Sequence, residues 1–333
     1  MSATDQRALT VAVVIVTHDS PATMLERACQ AVLDTVPDGG GADGDPIVTR
    51  DDDGLPDMSV STIVVDNGGS AAARLRAAGI GPGGGAITVL DVGNHGFAHA
   101  LNAGFAAALA ATDDPERCVL VGMNDDVVVR PGWLEPLVAA LDHDPTLAAV
   151  QPLLVTTDAD GVDRINSAGV ELDQHGAAAD RRRGDPVEST GELEPVTAVT
   201  GGAFAVRAAV LDAVGPLDER FFLYYEDVEW CLRARRAGWG FALVPDSVVD
   251  HAGSATTGQL GDRRIEMMER NRLWCTASTG TAATLASGLW LSVRKLRHPP
   301  HLAHRRGLFA GVAGLPSRLV QRRPLRRRVR GPR

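Results

Sequence analysis

The chain has 333 residues, of which 44% are hydrophobic, 23% are charged and 4% are aromatic. This length allows one large domain or two modest ones, and the apolar fraction excludes a wholly disordered chain. No apolar run reaches the roughly 18 residues of a membrane span, and the N-terminus lacks the basic start and apolar stretch of a secretory signal. Four widely separated cysteines without a CxxC pair predict reduced thiols in a cytosolic protein, with neither a disulfide framework nor a zinc site.

The formal net charge of −9 is unevenly distributed along the chain. Residues 270–333 contain 15 Lys and Arg and no acid, whereas the first 269 residues contain 18 basic and 42 acidic side chains. An acidic body disfavours nucleic acid, so we expect no nucleic-acid partner for it. The cationic C-terminal part leaves anionic lipid, RNA and an acidic protein open as partners.

The first half alternates strand and helix patterns, which predicts an α/β fold with right-handed crossovers and a parallel sheet. The predicted strands, which suit burial on both faces, are Val11–Val16, Ser61–Val65, Ala86–Leu90 and Cys118–Met123. Residues 1–9 are predicted to be a disordered N-terminus. Residues 37–59 are rich in Gly, Asp and Pro, and we interpret them as a flexible surface insertion.

Polar residues follow the carboxyl ends of these four strands, at the edge where open α/β sheets bind ligands. The four clusters are Thr17-His18-Asp19, Asp66-Asn67, Asn94 and Asn124-Asp125-Asp126. Carboxylates in the last cluster suit Mg²⁺ or Mn²⁺, which share their coordination between protein and substrate phosphates. An ordinary turn and helix cap is the alternative, because Asp and Asn are common in turns.

The second half is less regular. Its predicted elements are a strand over Ala148–Val155, a lid or surface segment over 156–195, a close backbone approach at Gly201-Gly202, a helical pattern over Phe221–Ala237, a short strand over Phe241–Val244 with a loop ending in Asp250-His251, a helical region over 256–293 and a basic tail over 294–333.

The densest aromatic and acidic cluster in the chain is Tyr224-Tyr225-Glu226-Asp227-Val228-Glu229-Trp230. Glu226 and Asp227 fall in the first turn of a predicted helix, where the helix dipole favours an ionised carboxylate. Such a carboxylate can accept a hydroxyl proton if it faces a cleft. Two solvated acids are the alternative. The fingerprint G-x-G-x-x-G is absent from the first strand–helix turn, so we do not expect a hydride-transfer enzyme.

Six segments stand in a fixed order along the chain: VAVVIVTHDS, IVVDNGGS, VGNHGFAHALNAG, VGMNDDVVV, TGGAFAVRAAVLDAVGPLDERFFLYYEDVEWCLRARRAGW and VPDSVVDH. Together they resemble the family-2 glycosyltransferases of the GT-A fold, and in particular the rhamnosyl- and galactofuranosyltransferase-like members. The resemblance covers roughly residues 10–255. It implies a Rossmann-like, mostly parallel central sheet flanked by helices, and the C-terminal part would be a helical basic extension.

The resemblance also implies a role for each matching position. The implied nucleotide-sugar-binding residues are Thr17, Asp66, Asn94, Asn124, Asp125, Gly201 and Gly202, with Asp66 meeting the pyrimidine base. Asp126, in the position of the family's DxD motif, and His251 are the implied metal ligands. Asp227 is the implied general base, with Glu226 as its catalytic neighbour. The first position of the motif is Asn124 instead of Asp, which leaves the role of Asp125 open.

The implied reaction is an inverting, metal-dependent transfer of a sugar, with Mn²⁺ or Mg²⁺ as cofactor. The donor would be a UDP- or dTDP-linked sugar and the acceptor a hydroxyl of a glycan or lipid-linked molecule, as in cell wall polysaccharide biosynthesis. A nucleotidyltransferase at the same sheet edge and a non-catalytic nucleotide- or carbohydrate-binding scaffold are the alternatives.

A lipid-linked acceptor leads us to expect a cytoplasmic protein that is peripheral on the inner face of the plasma membrane. The basic tail over 294–333 would meet anionic lipid, and Leu289, Trp290, Leu291 and Val293 would add shallow apolar contact. A disordered, solvated tail is the alternative.

Overall fold

The computed structural model describes residues 9–35, 47–49, 58–80, 87–187, 191–252 and 260–320. Within these residues eleven strands form one mixed sheet, and two more form a hairpin. The strands of the sheet are β1 (Leu9–Thr17), β2 (Ile47–Thr49), β3 (Met58–Asp66), β4 (Ile87–Asp91), β5 (Cys118–Asn124), β6 (Val127–Val129), β7 (Leu147–Thr157), β8 (Asp163–Ser167), β11 (Glu194–Pro195), β12 (Ala203–Arg207) and β13 (Gly240–His251). The hairpin pairs β9 (Val170–Leu172) with β10 (Ala178–Asp180).

Nine α-helices lie within the described ranges. They are α1 (Ala22–Thr35), α2 (Ala71–Ala77), α3 (Phe97–Ala111), α4 (Leu134–His143), α5 (Ala208–Val214), α6 (Glu226–Arg236), α7 (Gly261–Thr279), α8 (Ala282–Lys295) and α9 (His301–Val320). The side chains of β1 alternate between two apolar cores: Val14 packs in the same cluster as Leu101 of α3, and Val13 packs in the same cluster as Leu25 of α1. A strand covered on both faces needs a continuous apolar run, which β1 has.

Parallel pairing brings the predicted polar clusters to one edge of the sheet. β1 lies between β3 and β5 and is parallel to both, with Thr17 opposite Asp66 and Val16 opposite Asn124. β4 is parallel to β3, with Asp91 opposite Asp66. The predicted α/β fold with a central sheet flanked by helices is therefore confirmed. Antiparallel strand β12 lies between β5 and β7, which makes the sheet mixed.

One predicted boundary is wrong, for a local reason. The short strand and loop predicted over 241–251 form one strand, β13, because pairing with β7 resumes beyond a register shift between Val244 and Val248. Pro245, which lacks a backbone donor, lies in that shift and suggests a turn in the sequence. Helix α6 begins at Glu226, within the helical pattern predicted over Phe221–Ala237, so that Glu226 and Asp227 lie in its first turn as predicted.

The described part of the segment 156–195 contains four short strands. β8 pairs with β7, β9 pairs with β10, and β11 pairs with β13, all antiparallel. Part of the predicted insertion over 37–59 is also described, because β2 pairs with β3. Its other residues before Met58, together with residues 1–8, lie outside the described residues.

The last three helices pack around one buried carboxylate. Glu269 of α7 accepts hydrogen bonds from Arg272, from Ser292 of α8 and from Lys295, whose Nζ lies 2.9 Å from Oε2. Burial by itself raises the pKa of Glu269, but the charge of Arg272 and these hydrogen bonds outweigh burial and hold the pKa below its ordinary value. Helix α9 packs along α7, and a Cβ at Gly307 would lie only 2.7 Å from the Cβ of Glu269.

The predicted helical region and the first part of the predicted basic tail thus form one bundle, while residues 321–333 lie outside the described residues. In the portion of the chain that the structure covers, no helix combines the length and apolar character needed to cross a membrane. All four cysteines are buried and unpaired, in agreement with the prediction of free thiols.

Replacement of Glu269 tests its contribution to the bundle. Glu269→Gln leaves the buried Arg272 guanidinium without its carboxylate, so we expect the free energy of unfolding to fall by about 3 kcal/mol. Urea denaturation followed by tryptophan fluorescence measures the change. The control is Glu266→Gln, one turn earlier on α7, which removes an exposed pair with Arg306 and should change the free energy by less than about 0.5 kcal/mol. Equal effects of the two variants would contradict the assignment.

Candidate active site

Asp125 joins the turn after β5 to the turn after β1. Its Oδ2 accepts a hydrogen bond from the Thr17 hydroxyl at 2.5 Å, and its Oδ1 accepts one from the Ser20 hydroxyl at 3.0 Å. Arg74 of α2 donates to Thr17 Oγ1 at 3.1 Å and to the Ser20 carbonyl at 2.6 Å. Burial raises the pKa of Asp125, and the two hydroxyl donors offset only part of that effect. Both oxygens of Asp125 are therefore engaged within the protein.

The turn after β3 is organised by the buried carboxylate of Asp66. It accepts hydrogen bonds from the backbone N–H groups of Gly68, Gly69 and Ala71 at 2.9, 2.6 and 2.5 Å. Because three backbone donors fix this carboxylate, the direction of Asp66 is set before any ligand binds.

The neighbouring turns meet Asp66-Asn67 at the same edge. The His18 ring lies 2.9 Å from the Asn67 carbonyl, and Asn67 Oδ1 accepts a hydrogen bond from the backbone N–H of His95 at 3.2 Å. Asn94 Nδ2 lies 3.5 Å from His18 Nε2 and is exposed to solvent. The structure therefore brings Thr17, Asp66 and Asn94 to one polar edge, as their strand-end positions predict.

Asp126 and His251 face each other at the other end of the Asn124-Asp125-Asp126 turn. Asp126 Oδ1 lies 3.4 Å from His251 Nε2, and the backbone N–H of Ala252 donates to the Asp126 carbonyl at 3.0 Å. The other ring nitrogen of His251, Nδ1, lies 2.8 Å from Asn166 Oδ1. An Nδ1–H donated to Asn166 leaves the Nε2 lone pair directed towards Asp126.

These two groups fit a divalent cation. Asp126 Oδ1 is buried and has no hydrogen-bond partner among the described residues, and in this tautomer His251 Nε2, which lies 3.4 Å away, is also an electron-pair donor. No group of three or more His, Cys, Asp or Glu positioned for a metal is found among the described residues. Mg²⁺ and Mn²⁺ commonly take few protein ligands and complete their coordination with water and substrate phosphate, which suits a two-residue pair.

Asp227 lies in the first turn of α6 and is held by backbone donors. Its Oδ2 accepts a hydrogen bond from the Gly201 N–H and its Oδ1 accepts one from the Val228 N–H, both at 2.7 Å. A Cβ at Gly201 would lie 3.2 Å from Asp227 Oδ2 and 3.3 Å from the Phe97 ring, so a glycine permits this close approach. Burial raises the pKa of Asp227, and the two backbone donors oppose that effect.

Glu226 precedes Asp227 but has different surroundings. Its side chain is only 4% exposed, and its Oε2 has no hydrogen-bond partner among the described residues. Burial, with a smaller contribution from the charge of Asp227, raises the pKa of Glu226 to about 8. Of the two acids predicted from the sequence, Asp227 is therefore the one with solvent access, and Glu226 lies in the protein interior.

Two hydrogen bonds connect α6 to the Asn124-Asp125-Asp126 turn through Gly201-Gly202. The Asn124 N–H donates to the Gly202 carbonyl at 3.0 Å, and the Gly201 N–H donates to Asp227. The Gly201-Gly202 turn is thus adjacent to the Asn124-Asp125-Asp126 turn on one side and to Asp227 on the other. Hydrogen bonds therefore link the Asn124-Asp125-Asp126 turn, the Gly201-Gly202 turn and the first turn of α6 in series.

Several residues of this site were not expected from the sequence. Arg74, which donates a hydrogen bond to Thr17, lies on α2, where no sequence motif was found. Asn166, which orients His251, lies in the segment that was interpreted as a lid or surface element. Ser20 suggests a helix cap, yet its hydroxyl bonds to Asp125. These contacts join residues far apart in the chain, so no local pattern could have indicated them.

A sequence model of the family described as glycosyltransferase like family 2 matches residues 11–271, and the chain therefore belongs to this family. The protein y4gI of Sinorhizobium fredii, which is uncharacterized, is 31% identical over 144 residues, 41% of this chain but only 15% of that protein. The N-acetylglucosaminyl-diphospho-decaprenol L-rhamnosyltransferase of Mycobacterium tuberculosis is 27% identical over 219 residues, 60% of this chain and 69% of that enzyme.

The fold is also similar to solved structures. A crystal structure of GalNAc-T7 with UDP, GalNAc and Mn²⁺ superposes with a TM-score of 0.61 at 18% identity, covering 91% of this chain and 54% of the other. This likeness confirms the predicted GT-A fold. The family match confirms the predicted class of enzyme, a family-2 glycosyltransferase.

Proposed function

We propose that the protein transfers a sugar, with inversion, from a UDP- or dTDP-linked donor to a hydroxyl of a glycan or lipid-linked acceptor. The observation that carries this proposal is the series of contacts by which the turn that holds Asp126, beside His251, is hydrogen-bonded to the Gly201-Gly202 turn, which in turn is hydrogen-bonded to Asp227. The name of the mycobacterial relative, an N-acetylglucosaminyl-diphospho-decaprenol L-rhamnosyltransferase, favours a lipid-linked acceptor.

The donor would occupy the strand-end edge, with its nucleoside near Thr17, Asp66 and Asn94. Asp126 and His251 would hold a divalent cation, Mn²⁺ or Mg²⁺, beside the diphosphate. When bound, this cation supplies positive charge that stabilises the departing nucleoside diphosphate. Asp126 contributes a buried carboxylate oxygen that has no hydrogen-bond partner among the described residues, and Asn166 keeps the His251 ring in the orientation that this site needs.

Asp227 would remove the proton from the acceptor hydroxyl. As the hydroxyl oxygen forms a bond to the anomeric carbon, the bond from that carbon to the nucleoside diphosphate breaks, and the proton moves to the Asp227 carboxylate. Burial raises the pKa of Asp227, so the carboxylate is a stronger base than an exposed aspartate. The Gly201 and Val228 N–H groups keep the carboxylate oriented while it does so.

The two alternative functions are less well supported. A nucleotidyltransferase would use the same edge, but it gives no role to the oriented base at Asp227, and the family match favours glycosyl transfer. A non-catalytic scaffold gives no reason for a buried, unpartnered oxygen at Asp126 beside His251.

The outer face of α8 and α9 supports membrane docking as part of the same proposal. Phe309 is 78% exposed, Leu302 is 60% exposed and Trp290 is 53% exposed. Leu302 and Phe309 line a groove of about 570 Å³ together with Arg305 and Arg306. Exposed apolar side chains beside guanidinium groups match the boundary between acyl chains and anionic headgroups, where each basic side chain contributes about 1 kcal/mol. We therefore propose a cytoplasmic enzyme that docks this face on an anionic inner leaflet.

Asp227→Asn tests the proposed base. The amide keeps the size of the side chain but cannot take a proton, so we expect transfer to fall by about 10²–10⁴-fold while nucleotide binding survives. Release of UDP or dTDP from a panel of nucleotide sugars, in the presence of a polyprenyl-diphosphate-linked acceptor, measures the rate.

In the unsubstituted protein the acid limb of the pH–rate profile should lie above the ordinary Asp pKa of about 4, because burial raises the pKa of Asp227.

The control for this variant is Asp212→Asn, which removes an exposed acid from the neighbouring helix α5 and should leave transfer unchanged. Unimpaired transfer in Asp227→Asn would exclude Asp227 as the base.

Asp126→Asn tests the metal pair. In the unsubstituted protein we expect Mn²⁺ to increase the affinity for UDP or dTDP about tenfold, which corresponds to about 1.4 kcal/mol. Removing the charge of Asp126 should abolish this increase. Isothermal titration calorimetry with and without Mn²⁺ provides the measurement, and Asp142→Asn on the exposed side of α4 is the control. If the unsubstituted protein binds both nucleotides equally well with and without Mn²⁺, the metal assignment is wrong.

Membrane docking is tested by flotation with phosphatidylcholine vesicles that contain or lack phosphatidylglycerol. Substitution is preferable to removal of residues 294–333, because α9 belongs to the folded bundle. The double variant Leu302→Ser/Phe309→Ser should reduce recovery with anionic vesicles severalfold, since it removes apolar contact without altering charge. Leu193→Ser, an exposed leucine on another surface, is the matched control. Equal recovery of the double variant and the control would exclude this face.

A further inference from the structure

The loop that leads into α6 has an unusual backbone. Phe222, Tyr224 and Tyr225 have φ angles of 68°, 70° and 72°. They are three of the five non-glycine residues with positive φ in the described ranges. Each such residue costs about 1–3 kcal/mol and persists only where the surrounding structure holds it. This loop therefore needs contacts that compensate for its strain.

Asn271 of α7 supplies most of these contacts. Its Nδ2 lies within hydrogen-bond distance of three loop carbonyls: 3.1 Å from that of Phe221, 2.8 Å from that of Leu223 and 2.8 Å from that of Tyr224. The side chain is fully buried. An amide nitrogen has two protons, so the three carbonyls share the two N–H donors of Asn271. The loop conformation that brings these carbonyls together therefore depends on the Asn271 side chain.

Arg270 fixes the orientation of that amide. Its Nε donates to Asn271 Oδ1 at 2.8 Å, and its Nη2 donates to the Phe221 carbonyl at 2.7 Å. The guanidinium also stacks on the Trp274 ring, 4.5 Å from the ring centroid. The donor end of Asn271 is therefore directed at the loop by a neighbour that is itself held.

The loop is continuous with the first turn of α6, which carries Asp227. The Glu229 N–H donates to the Tyr225 carbonyl at 2.8 Å, so the left-handed residue Tyr225 sets where the helix begins. On the opposite side, the Phe97 N–H donates to the Phe222 carbonyl at 2.8 Å. A change in the loop would therefore rotate or shift the turn that places Asp227 against Gly201.

We propose that Asn271 is a positioning residue for the general base, acting through the carbonyls of Phe221, Leu223 and Tyr224. The inference rests on the proposed function of Asp227. It gives α7 a role in catalysis in addition to its role in the fold. Helix α7 would set the reactivity of Asp227 although none of its side chains takes part in the proton transfer.

The test compares Asn271→Ala, which has no donor, with Asn271→Ser, whose hydroxyl retains one. Thr276→Val is the matched control, because Thr276 is buried one turn further along α7 and its hydroxyl bonds only within its own helix. We expect Asn271→Ala to lower kcat 10–100-fold with the donor KM and the UDP affinity changed less than twofold, Asn271→Ser to recover part of the loss, and Thr276→Val to match the unsubstituted protein.

The pH–rate profile separates positioning from general destabilisation. The carboxyls that interact with Asp227 are Glu226 on its own helix and Asp180 of β10, and the substitutions leave both of these side chains in the protein. A loosened loop admits water to Asp227, so the acid limb of the profile should move to lower pH in Asn271→Ala. A variant that is only less stable would lose activity at high temperature without this shift.

Hydrogen exchange of the amides in 219–228 provides a readout that needs no substrate. Exchange in this segment should be faster in Asn271→Ala than in Thr276→Val, while exchange in β1 and β5 stays the same. Unchanged exchange in the segment, or an unchanged kcat and pH profile well below the unfolding temperature, would overturn the proposal. If instead the unsubstituted protein transfers no sugar from any donor, the proposed function fails, and the exchange result still decides whether Asn271 holds the loop.

Discussion

A buried carboxylate must either be paired with donors or take up a proton, and this constraint determines which acids of the site remain available for chemistry. Asp125 is bonded to two hydroxyls and Asp66 to three backbone N–H groups, so both are used to build the strand-end turns. Asp126 retains an unpartnered oxygen, and Asp227 has solvent access. Consecutive acids in the same turn thus have different tasks, because one faces the interior and the next faces the site.

The C-terminal helices α7, α8 and α9 also contain buried ion pairs, and the bundle they form packs against the loop before α6. Glu269 bonds α7 to α8, and Arg318 of α9 pairs with Asp218 and stacks on the Trp274 ring of α7. The same bundle contacts the strained loop before α6 through Asn271. The family match ends at residue 271, so most of this bundle lies beyond the matched region although it packs against the candidate site.

The fold and the site differ in how far the sequence predicts them. Continuous β-branched runs and polar strand ends identified the parallel strands and their shared edge, because burial on both faces leaves a direct signature in sequence. The sequence pattern did not predict the full length of β13, because a proline such as Pro245 is typical of a turn. The strand continues beyond Pro245 only because it pairs with β7. The orientation of His251 by Asn166 and the hold of Asn271 on the loop depend on contacts across many residues, which no local pattern encodes.

The division of charge along the chain has a consequence for how the molecule approaches a surface. The acidic excess lies in the first 269 residues, and every charged side chain after Glu269 is Lys or Arg. A negatively charged bilayer would repel the acidic part, residues 1–269, and attract the basic part, residues 270–333. The two forces together would exert a torque that turns the molecule before it reaches the membrane surface. Within about a Debye length, roughly 10 Å, the helical end would already point at the headgroups. Orientation would thus precede contact and leave fewer non-productive encounters.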